Sequence, residues 1–252
     1  MKKTKIAISI DESLLKSIDL RVDKSVIRSR SQAIEYFLKK GLEEHSIKDA
    51  VILLKGDHQV FSLKSFKGST LIENQIIFFS KCGIKNVYIV TQHTKNINFL
   101  LEKISTSQIN VQIIESDAIG NATALKAAFG KIDGSFIVMS GDTFNDFDIL
   151  KMMKKHLQSE KLATMGLMTR DRPSGYGTAI LDGDSIVDFE EKPKYYSTNI
   201  VNAGIYIFKP EVFELFNSQK NLSLERDIFP KLAKLKQLLG FFTYGEYSHL
   251  GA

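Results

Sequence analysis

The chain has 252 residues, of which 43% are hydrophobic and 25% are charged, and these ordinary values exclude a globally disordered chain. No apolar run approaches the roughly 20 residues that a membrane helix needs. The basic N-terminus lacks the apolar core of a signal peptide, and the single cysteine, Cys82, excludes internal disulfides. The composition therefore predicts a cytoplasmic protein with no membrane partner.

The net charge of +5 is concentrated near the N-terminus. Residues 1–48 hold 11 Lys and Arg against 7 Asp and Glu, whereas the other 204 residues are close to neutral. A concentrated positive charge favours a phosphate-rich partner such as nucleic acid. The alternative is a mildly basic domain whose charge serves only solubility.

The first 45 residues predict one strand and two helices. Residues 4–10 alternate isoleucine with Lys, Ala and Ser, which indicates a strand with one apolar face. Asp11 and Ser31 each stand where the N-cap of a helix is expected. So few elements cannot bury a core alone, and a lone strand leaves both edges unpaired. We therefore expect a homodimer in which the strand pairs with its copy.

This stretch, with its K-I-A-I-S-I strand, D-E-S-L-L helix start and S-R-S-Q-A-I second helix, resembles the ribbon-helix-helix DNA-binding family over residues 3–44. The resemblance implies double-stranded DNA as a partner, with outward strand residues contacting bases and the second helix holding a phosphate. The DNA-binding residues that it implies are Lys3, Lys5, Ala7, Ser9, Arg30 and Ser31. The open alternative is a dimerisation ribbon that binds no nucleic acid.

Residues 46–48 are predicted to link an N-terminal module, residues 1–45, to a larger α/β domain, residues 49–252. Alternating strands and helices in the larger domain are typical of a doubly wound, mostly parallel sheet. Strands are predicted near 50–54, 87–91, 110–114 and 135–139, and helices near 70–82, 95–105 and 121–130. Later runs at 162–168, 176–181, 185–190 and 201–208 predict a mixed sheet, followed by a helix at 224–235.

The strand at 135–139 runs into Gly141-Asp142, which places a carboxylate at the end of a central parallel strand. Such a carboxylate suits a Mg²⁺ ion that bridges phosphates. The alternative is that Asp142 caps a helix near 146–157. No cofactor is certain from the sequence, and Asp142 is predicted only as a residual Mg²⁺ ligand.

Three further motifs follow in order: Tyr176-Gly177, Glu191-Lys192-Pro193 and the run from Asn202 to Tyr206. Together with Gly141-Asp142 they resemble the sugar-1-phosphate nucleotidyltransferases over residues 49–251. The resemblance implies a sugar phosphate or nucleotide sugar as ligand, with Glu191 and Asn202 on sugar hydroxyls and Lys192 on the phosphate. The ligand-binding residues that it implies are Gly120, Asn121, Gly141, Asp142, Gly177, Glu191, Lys192, Asn202 and Gly204.

Two departures from that family concern catalysis. The family's glycine-rich turn, whose backbone N–H groups hold the triphosphate, is missing after Leu54 together with its Arg. The family's second metal-binding Asp is replaced by His249, and imidazole is a poor Mg²⁺ ligand. The family's P-K-P lysine has no clear counterpart, although Lys64 and Lys67 lie nearby. These departures predict that nucleotidyl transfer is lost, and no catalytic residue is assigned.

The leading hypothesis is a homodimeric, DNA-binding transcription regulator whose nucleotidyltransferase-like domain senses a sugar phosphate or nucleotide sugar. The second hypothesis is an active sugar-1-phosphate nucleotidyltransferase with an N-terminal DNA-binding or dimerisation module. The third is a structural dimer scaffold that binds neither ligand nor DNA.

Overall fold

The computed structural model describes residues 7–22, 27–44, 46–217, 221–242 and 245–251. Its contacts divide the chain into two units, Met1–Ser46 and Ile47–Ala252. Within the described residues, no helix is long and apolar enough to cross a membrane.

In its described residues the N-terminal unit contains two helices, α1 (Glu12–Asp19) and α2 (Arg30–Glu44). Asp11 caps α1 as predicted, because its carboxylate accepts hydrogen bonds from the backbone N–H groups of Ser13 and Leu14. The cap of α2 is Ser29 and not Ser31: the Ser29 hydroxyl accepts a hydrogen bond from the N–H of Gln32 at 3.2 Å.

The predicted N-terminal strand does not form in its described part, residues 7–10, which have no regular secondary structure. A strand needs a neighbour for its backbone hydrogen bonds, and the described residues of this single chain offer none there. Ala7 and Ser9 are exposed, and Lys3 and Lys5 lie outside the described residues. Arg30, expected on a DNA phosphate, instead makes an exposed two-point ion pair with Asp19, with both N···O distances at 2.7 Å.

The larger unit is built on a nine-stranded mixed sheet in the order β5-β4-β1-β6-β11-β8-β12-β10-β9. Neighbours are parallel from β5 to β6, where the sequence predicted a parallel sheet, and β11 runs antiparallel to β6 and β8. Two short ribbons, β2 with β3 and β7 with β13, lie outside it. The strands are β1 (Asp49–Leu54), β2 (Ser65–Phe66), β3 (Ser69–Thr70), β4 (Asn86–Thr91), β5 (Asn110–Glu115), β6 (Phe136–Ser140), β7 (Thr143–Asn145), β8 (Ala163–Thr169), β9 (Gly177–Asp182), β10 (Ser185–Glu191), β11 (Ile200–Phe208), β12 (Leu238–Phe242) and β13 (Tyr247–His249).

Helices cover both faces of this sheet. Ala50 and Ile52 of β1 belong to one apolar core and Val51 to the other, as the period of two in a strand requires. The helices and π-helical turn of this unit are α3 (Gln59–Ser62), α4 (Leu71–Lys81), α5 (Ile97–Ile104), α6 (Asn121–Leu125), α7 (Ile149–Leu157), the π turn Leu224–Ile228 and α8 (Phe229–Lys234). Among the described residues of this unit, 3-10 turns form at Gly56–His58, Lys126–Ala128, Pro173–Gly175 and Pro210–Leu215.

Candidate active site

Asp142 lies at the carboxyl edge of the sheet, directly after β6. Gly141 brings it there, because the backbone at Gly141 passes so close to β1 that a Cβ atom would lie 2.8 Å from Leu54 Cβ. The N–H of Gly141 donates to the carbonyl of Leu53 at 2.8 Å. The alternative in which Asp142 caps a helix is wrong, since Asp148 caps α7 through the N–H of Lys151.

Two imidazoles approach the Asp142 carboxylate. His58 Nδ1 lies 2.8 Å from Asp142 Oδ2, and His249 Nε2 lies 3.4 Å from the same oxygen. The register of β13 on β7 places His249 opposite Thr143, next to Asp142. A Cβ atom on Gly251 would lie 2.9 Å from Asp142 Oδ2, so the chain after β13 also passes directly against this carboxylate.

The electrostatics keep Asp142 ionised. Burial raises the pKa of this carboxyl, but the hydrogen bonds and charges of His249 and His58 outweigh burial and hold the pKa below its usual value of 3.8. An ionised, largely buried carboxylate beside an imidazole nitrogen can bind a divalent cation. Within the described ranges no three His, Cys, Asp or Glu side chains group to hold a metal ion, so a bound cation would need ligands from substrate or water.

A cavity of about 210 Å³ opens beside Asp142, between the carboxyl ends of β1, β4 and β6 and the segment that leads into α6. The backbone at Gly120 lies so close to a later segment that a Cβ atom would lie 2.2 Å from the carbonyl oxygen of Leu222. The residues that line the cavity and carry polar side chains are Lys55, His58, Thr91, Gln92, Ser116, Asn121, Ser140 and Asp142.

Asn121 joins α6 to the π turn. Its amide nitrogen donates to both carboxylate oxygens of Glu225 at 3.0 and 2.9 Å, and its amide oxygen accepts from the N–H of Leu224 at 2.8 Å. A contact between Asn121 and a ligand therefore stays a prediction. Glu225 had no sequence signal, because its partner is 104 residues away.

The motif residues predicted for the sugar gather near the ends of β9, β10 and β11. Glu191 ends β10, and Gly177 pairs with it from β9. A Cβ atom on Gly177 would lie 2.7 Å from Glu191 Oε2, so glycine makes room for this carboxylate. Lys192 is exposed, adopts a left-handed φ of 49°, and places its Nζ 4.0 Å from Glu191 Oε1.

Asn202 and Gly204 lie on β11, and they connect this group to the region of Asp142. The amide of Asn202 donates to the Tyr206 hydroxyl and accepts from the N–H of Gly204, both at 2.8 Å. A Cβ atom on Gly204, whose φ is 69°, would lie 3.4 Å from Ser140 Oγ and 3.6 Å from Thr143 Oγ1. The sugar motifs and Asp142 therefore meet at one edge of the sheet.

Lys64 and Lys67, noted from the sequence as lying near the place of the family's P-K-P lysine, contact other side chains. Lys67 pairs with Glu246 at 2.5 Å, and the Lys64 Nζ lies 4.5 Å from the centre of the Phe61 ring. His58 lies shortly after β1, in place of the family's glycine-rich turn, but nothing in the sequence predicted its contact with Asp142.

Residues 58–247 match the model of the nucleotidyl transferase family, and the chain belongs to that family. A Sulfolobus acidocaldarius protein named as a mannose-1-phosphate guanyltransferase is 30% identical over 190 residues, which are 75% of this chain and 48% of that protein. The chain spans about half the length of the curated relatives it matches.

Two solved structures show the same fold. The crystal structure of HddC from Yersinia pseudotuberculosis has a TM-score of 0.69 and 22% identity, and it covers 81% of this chain and 94% of its own. The same protein complexed with GMP-PN has a TM-score of 0.66 and 21% identity, with 82% and 95% covered.

These comparisons correct the leading hypothesis from the sequence. A DNA-binding transcription regulator with a non-catalytic sensor domain is wrong, because the family and the named relatives favour the second hypothesis, an active nucleotidyltransferase. The family match begins at residue 58, and no finding supports a ribbon-helix-helix unit or DNA contacts before it. The missing glycine-rich turn and the histidine at position 249 concern only part of the site.

Proposed function

We propose that this protein is a sugar-1-phosphate nucleotidyltransferase. It transfers a nucleoside monophosphate group from a nucleoside triphosphate to a sugar 1-phosphate and releases pyrophosphate. The observation that carries the proposal is the ionised Asp142 carboxylate, which lies between the cavity at the ends of β1, β4 and β6 and the sugar motifs on β9 to β11. From that position Asp142 would lie close to both the nucleoside triphosphate and the sugar 1-phosphate.

We propose GTP and mannose 1-phosphate as the pair of substrates. The relatives named as mannose-1-phosphate guanylyltransferases and the complex of HddC with GMP-PN support this choice. In the proposed reaction a phosphate oxygen of the sugar 1-phosphate attacks the α-phosphorus of GTP. The bond from the α-phosphorus to the oxygen that bridges to the β-phosphate breaks, and that oxygen leaves on pyrophosphate.

The proposed roles follow from where the side chains lie. The nucleotide would occupy the cavity that Lys55, His58 and Gln92 line, and the sugar would lie against Glu191 and Asn202. Asp142 would hold a divalent cation, which when bound offsets phosphate charge. Phosphoryl transfer depends mainly on positioning and charge neutralisation, so these groups would carry most of the catalysis.

Lys55 offers a replacement for part of the missing glycine-rich turn. It directly follows β1, its side chain is 61% exposed, and its Nζ pairs with Asp57 at 2.5 Å. An exposed ion pair contributes little to stability, so Lys55 can exchange Asp57 for a triphosphate oxygen at little cost.

The test is pyrophosphate release by the full-length protein with GTP and mannose 1-phosphate, and then with other triphosphates and sugar phosphates. We expect release that requires both substrates and that falls by about 100-fold or more in Asp142→Asn. Asp182→Asn is the matched control, because Asp182 is an exposed aspartate at the end of β9. Absence of release with every pair, or equal rates in Asp142→Asn and wild type, would overturn the proposal.

We further propose that the N-terminal unit makes the protein a homodimer. Its helices leave a groove of about 500 Å³ open to solvent, and in the described part of the unit the only buried hydrophobic residues are Ile18 and Ala33. A unit of this size cannot bury a core alone, and a second copy would cover the groove. The apolar residues that line it are Ile8, Ile10, Leu14, Ile18, Ile34, Phe37 and Leu38.

Sedimentation of Leu14→Glu tests this second proposal, with Lys16→Glu as the control on the same helix. We expect wild type and the control to sediment as dimers and Leu14→Glu as a monomer, because a buried unpaired carboxylate is costly. A monomeric wild type at micromolar concentration would contradict the proposal.

A further inference from the structure

The side chains beside Asp142 offer imidazole nitrogen atoms, whereas Mg²⁺ prefers oxygen ligands. We propose that His249 is itself a metal ligand, and that the site selects a late first-row divalent ion such as Fe²⁺, Co²⁺, Ni²⁺ or Zn²⁺ over Mg²⁺. The inference rests on the proposed function, because substrate phosphate oxygens complete the coordination.

The first argument is the distance between the two donor atoms. His249 Nε2 and Asp142 Oδ2 are 3.4 Å apart, a long hydrogen bond compared with the roughly 2.7–2.9 Å of a charge-assisted one. Two ligands on one metal ion, with bonds of about 2.1 Å, lie about 3.0 Å apart in octahedral and about 3.4 Å apart in tetrahedral geometry. The pair therefore has the spacing of two metal ligands.

The second argument is that a separate imidazole orients the carboxylate. His58 Nδ1 lies 2.8 Å from Asp142 Oδ2, a normal hydrogen-bond distance, so His58 holds the carboxylate while His249 stands further off. Metal-binding carboxylates commonly have such a hydrogen-bonded partner. Gly251 and the pairing of β13 with β7 fix the segment that carries His249 against Asp142.

The third argument is the kind of donor. Mg²⁺ takes oxygen ligands and releases its water reluctantly, whereas imidazole suits Fe, Ni, Cu and Zn ions. One carboxylate and one imidazole leave positions for phosphate oxygens and water. A site with only these two protein ligands agrees with the lack of a third His, Cys, Asp or Glu ligand within the described residues.

The test uses Co²⁺ as the probe, with the full-length protein and GTP. Visible absorption and shifted imidazole proton signals in NMR spectra report nitrogen ligation without any turnover. We expect both signatures in wild type and in His93→Ala, the control, because His93 lies in an exposed ion pair with Glu115. His249→Asp should lose both signatures, and its ratio of Co²⁺ to Mg²⁺ affinity should fall by about tenfold or more.

Each outcome has a defined meaning. Unchanged Co²⁺ signatures in His249→Asp, or an unchanged ratio of affinities, would overturn the inference even if nucleotidyl transfer occurs with Mg²⁺. Nitrogen ligation by His249 without pyrophosphate release under any metal would support the metal site and contradict the proposed function. The two proposals can therefore fail separately.

Discussion

Glu191 is half-buried near the carboxylate of Glu225, and this environment makes the stability of the fold depend on pH. Burial raises the pKa of the Glu191 carboxyl, the charge of Glu225 raises it further, and Lys192 and Arg226 only partly offset the two. The folded state therefore binds the Glu191 proton more tightly than the unfolded state does. The stabilisation from this tighter binding is fully present below the usual pKa of 4.5. That stability is lost as the pH rises through the higher pKa of the folded state.

We expect Glu191→Gln to melt at a higher temperature than wild type at pH 7, because the substitution removes the cost of an ionised carboxylate. The difference should disappear near pH 4, where wild-type Glu191 is protonated. Thermal denaturation over this pH range measures it, with Glu190→Gln as control, since the neighbouring strand residue is exposed. A constant difference at all pH values would contradict the pKa assignment. Glu191→Gln should also weaken sugar phosphate binding.

Asn121 is the residue whose observed contacts differ most from the role expected of it. Its side chain makes three hydrogen bonds to the π turn, two of them to the carboxylate oxygens of Glu225. We expect Asn121→Ala to lower the free energy of unfolding by about 2 kcal/mol, because hydrogen bonds to charged groups are worth about 1.5–3 kcal/mol. Urea denaturation measures the change.

Asn110→Ala is the control for Asn121, because the Asn110 amide makes one exposed hydrogen bond, to Asn86 Oδ1 at 3.0 Å. It should cost less than about 1 kcal/mol. Equal losses in the two variants would mean that the contact with Glu225 contributes nothing.

At the scale of elements, the buried parallel strands were predictable from the sequence. The runs at 50–54, 87–91, 110–114 and 135–139 each lie inside a strand or differ from it by one residue, because β-branched residues between helical segments give a clear signal. The ribbons β2–β3 and β7–β13 were not predictable, since strands of two or three residues have no period. The neighbourhood of Asp142 depends on β13, so the contact of His249 with Asp142 could be expected only from the family resemblance.

The ends of the short helices could not be predicted from the sequence either. The helix predicted at 121–130 is α6 followed by a 3-10 turn, and the helix predicted at 224–235 begins as a π turn. In both places a tertiary contact sets the geometry, because Asn121 and Glu225 join the two segments. The contact of His58 with Asp142 spans 84 residues and has no local signal either.

The start of α6 packs so tightly that glycine is required there. A Cβ atom on Gly120 would lie 2.2 Å from the carbonyl oxygen of Leu222 and 2.6 Å from the carbonyl carbon of Asn221, both backbone atoms. We expect Gly120→Ala to cost about 1–3 kcal/mol of unfolding free energy and to weaken GTP binding, because residues 119–121 line the cavity. Denaturation and calorimetry measure the two effects. Gly175→Ala is the control, with nothing within 4 Å of its Cβ, and an equal loss there would contradict the argument.

At the scale of the whole molecule, the two units differ in how completely they bury apolar residues. The two hydrophobic cores lie entirely within Ile47–Ala252, on opposite faces of the nine-stranded sheet. The N-terminal unit keeps an open apolar groove. The larger unit therefore has what a domain needs to fold alone, whereas we propose that a second copy covers the groove of the smaller one.

Deletion of residues 1–46 tests this division of roles. We expect the remaining chain to fold, because it loses no residue of either core, and to keep kcat/KM for nucleotidyl transfer within about threefold, since every proposed site residue is retained. Sedimentation should show a monomer where the full-length protein is a dimer, because the groove is gone. A deleted protein that still dimerises would place the dimer interface on the larger unit. One that folds but has lost transfer activity would mean that the N-terminal unit contributes to the reaction itself.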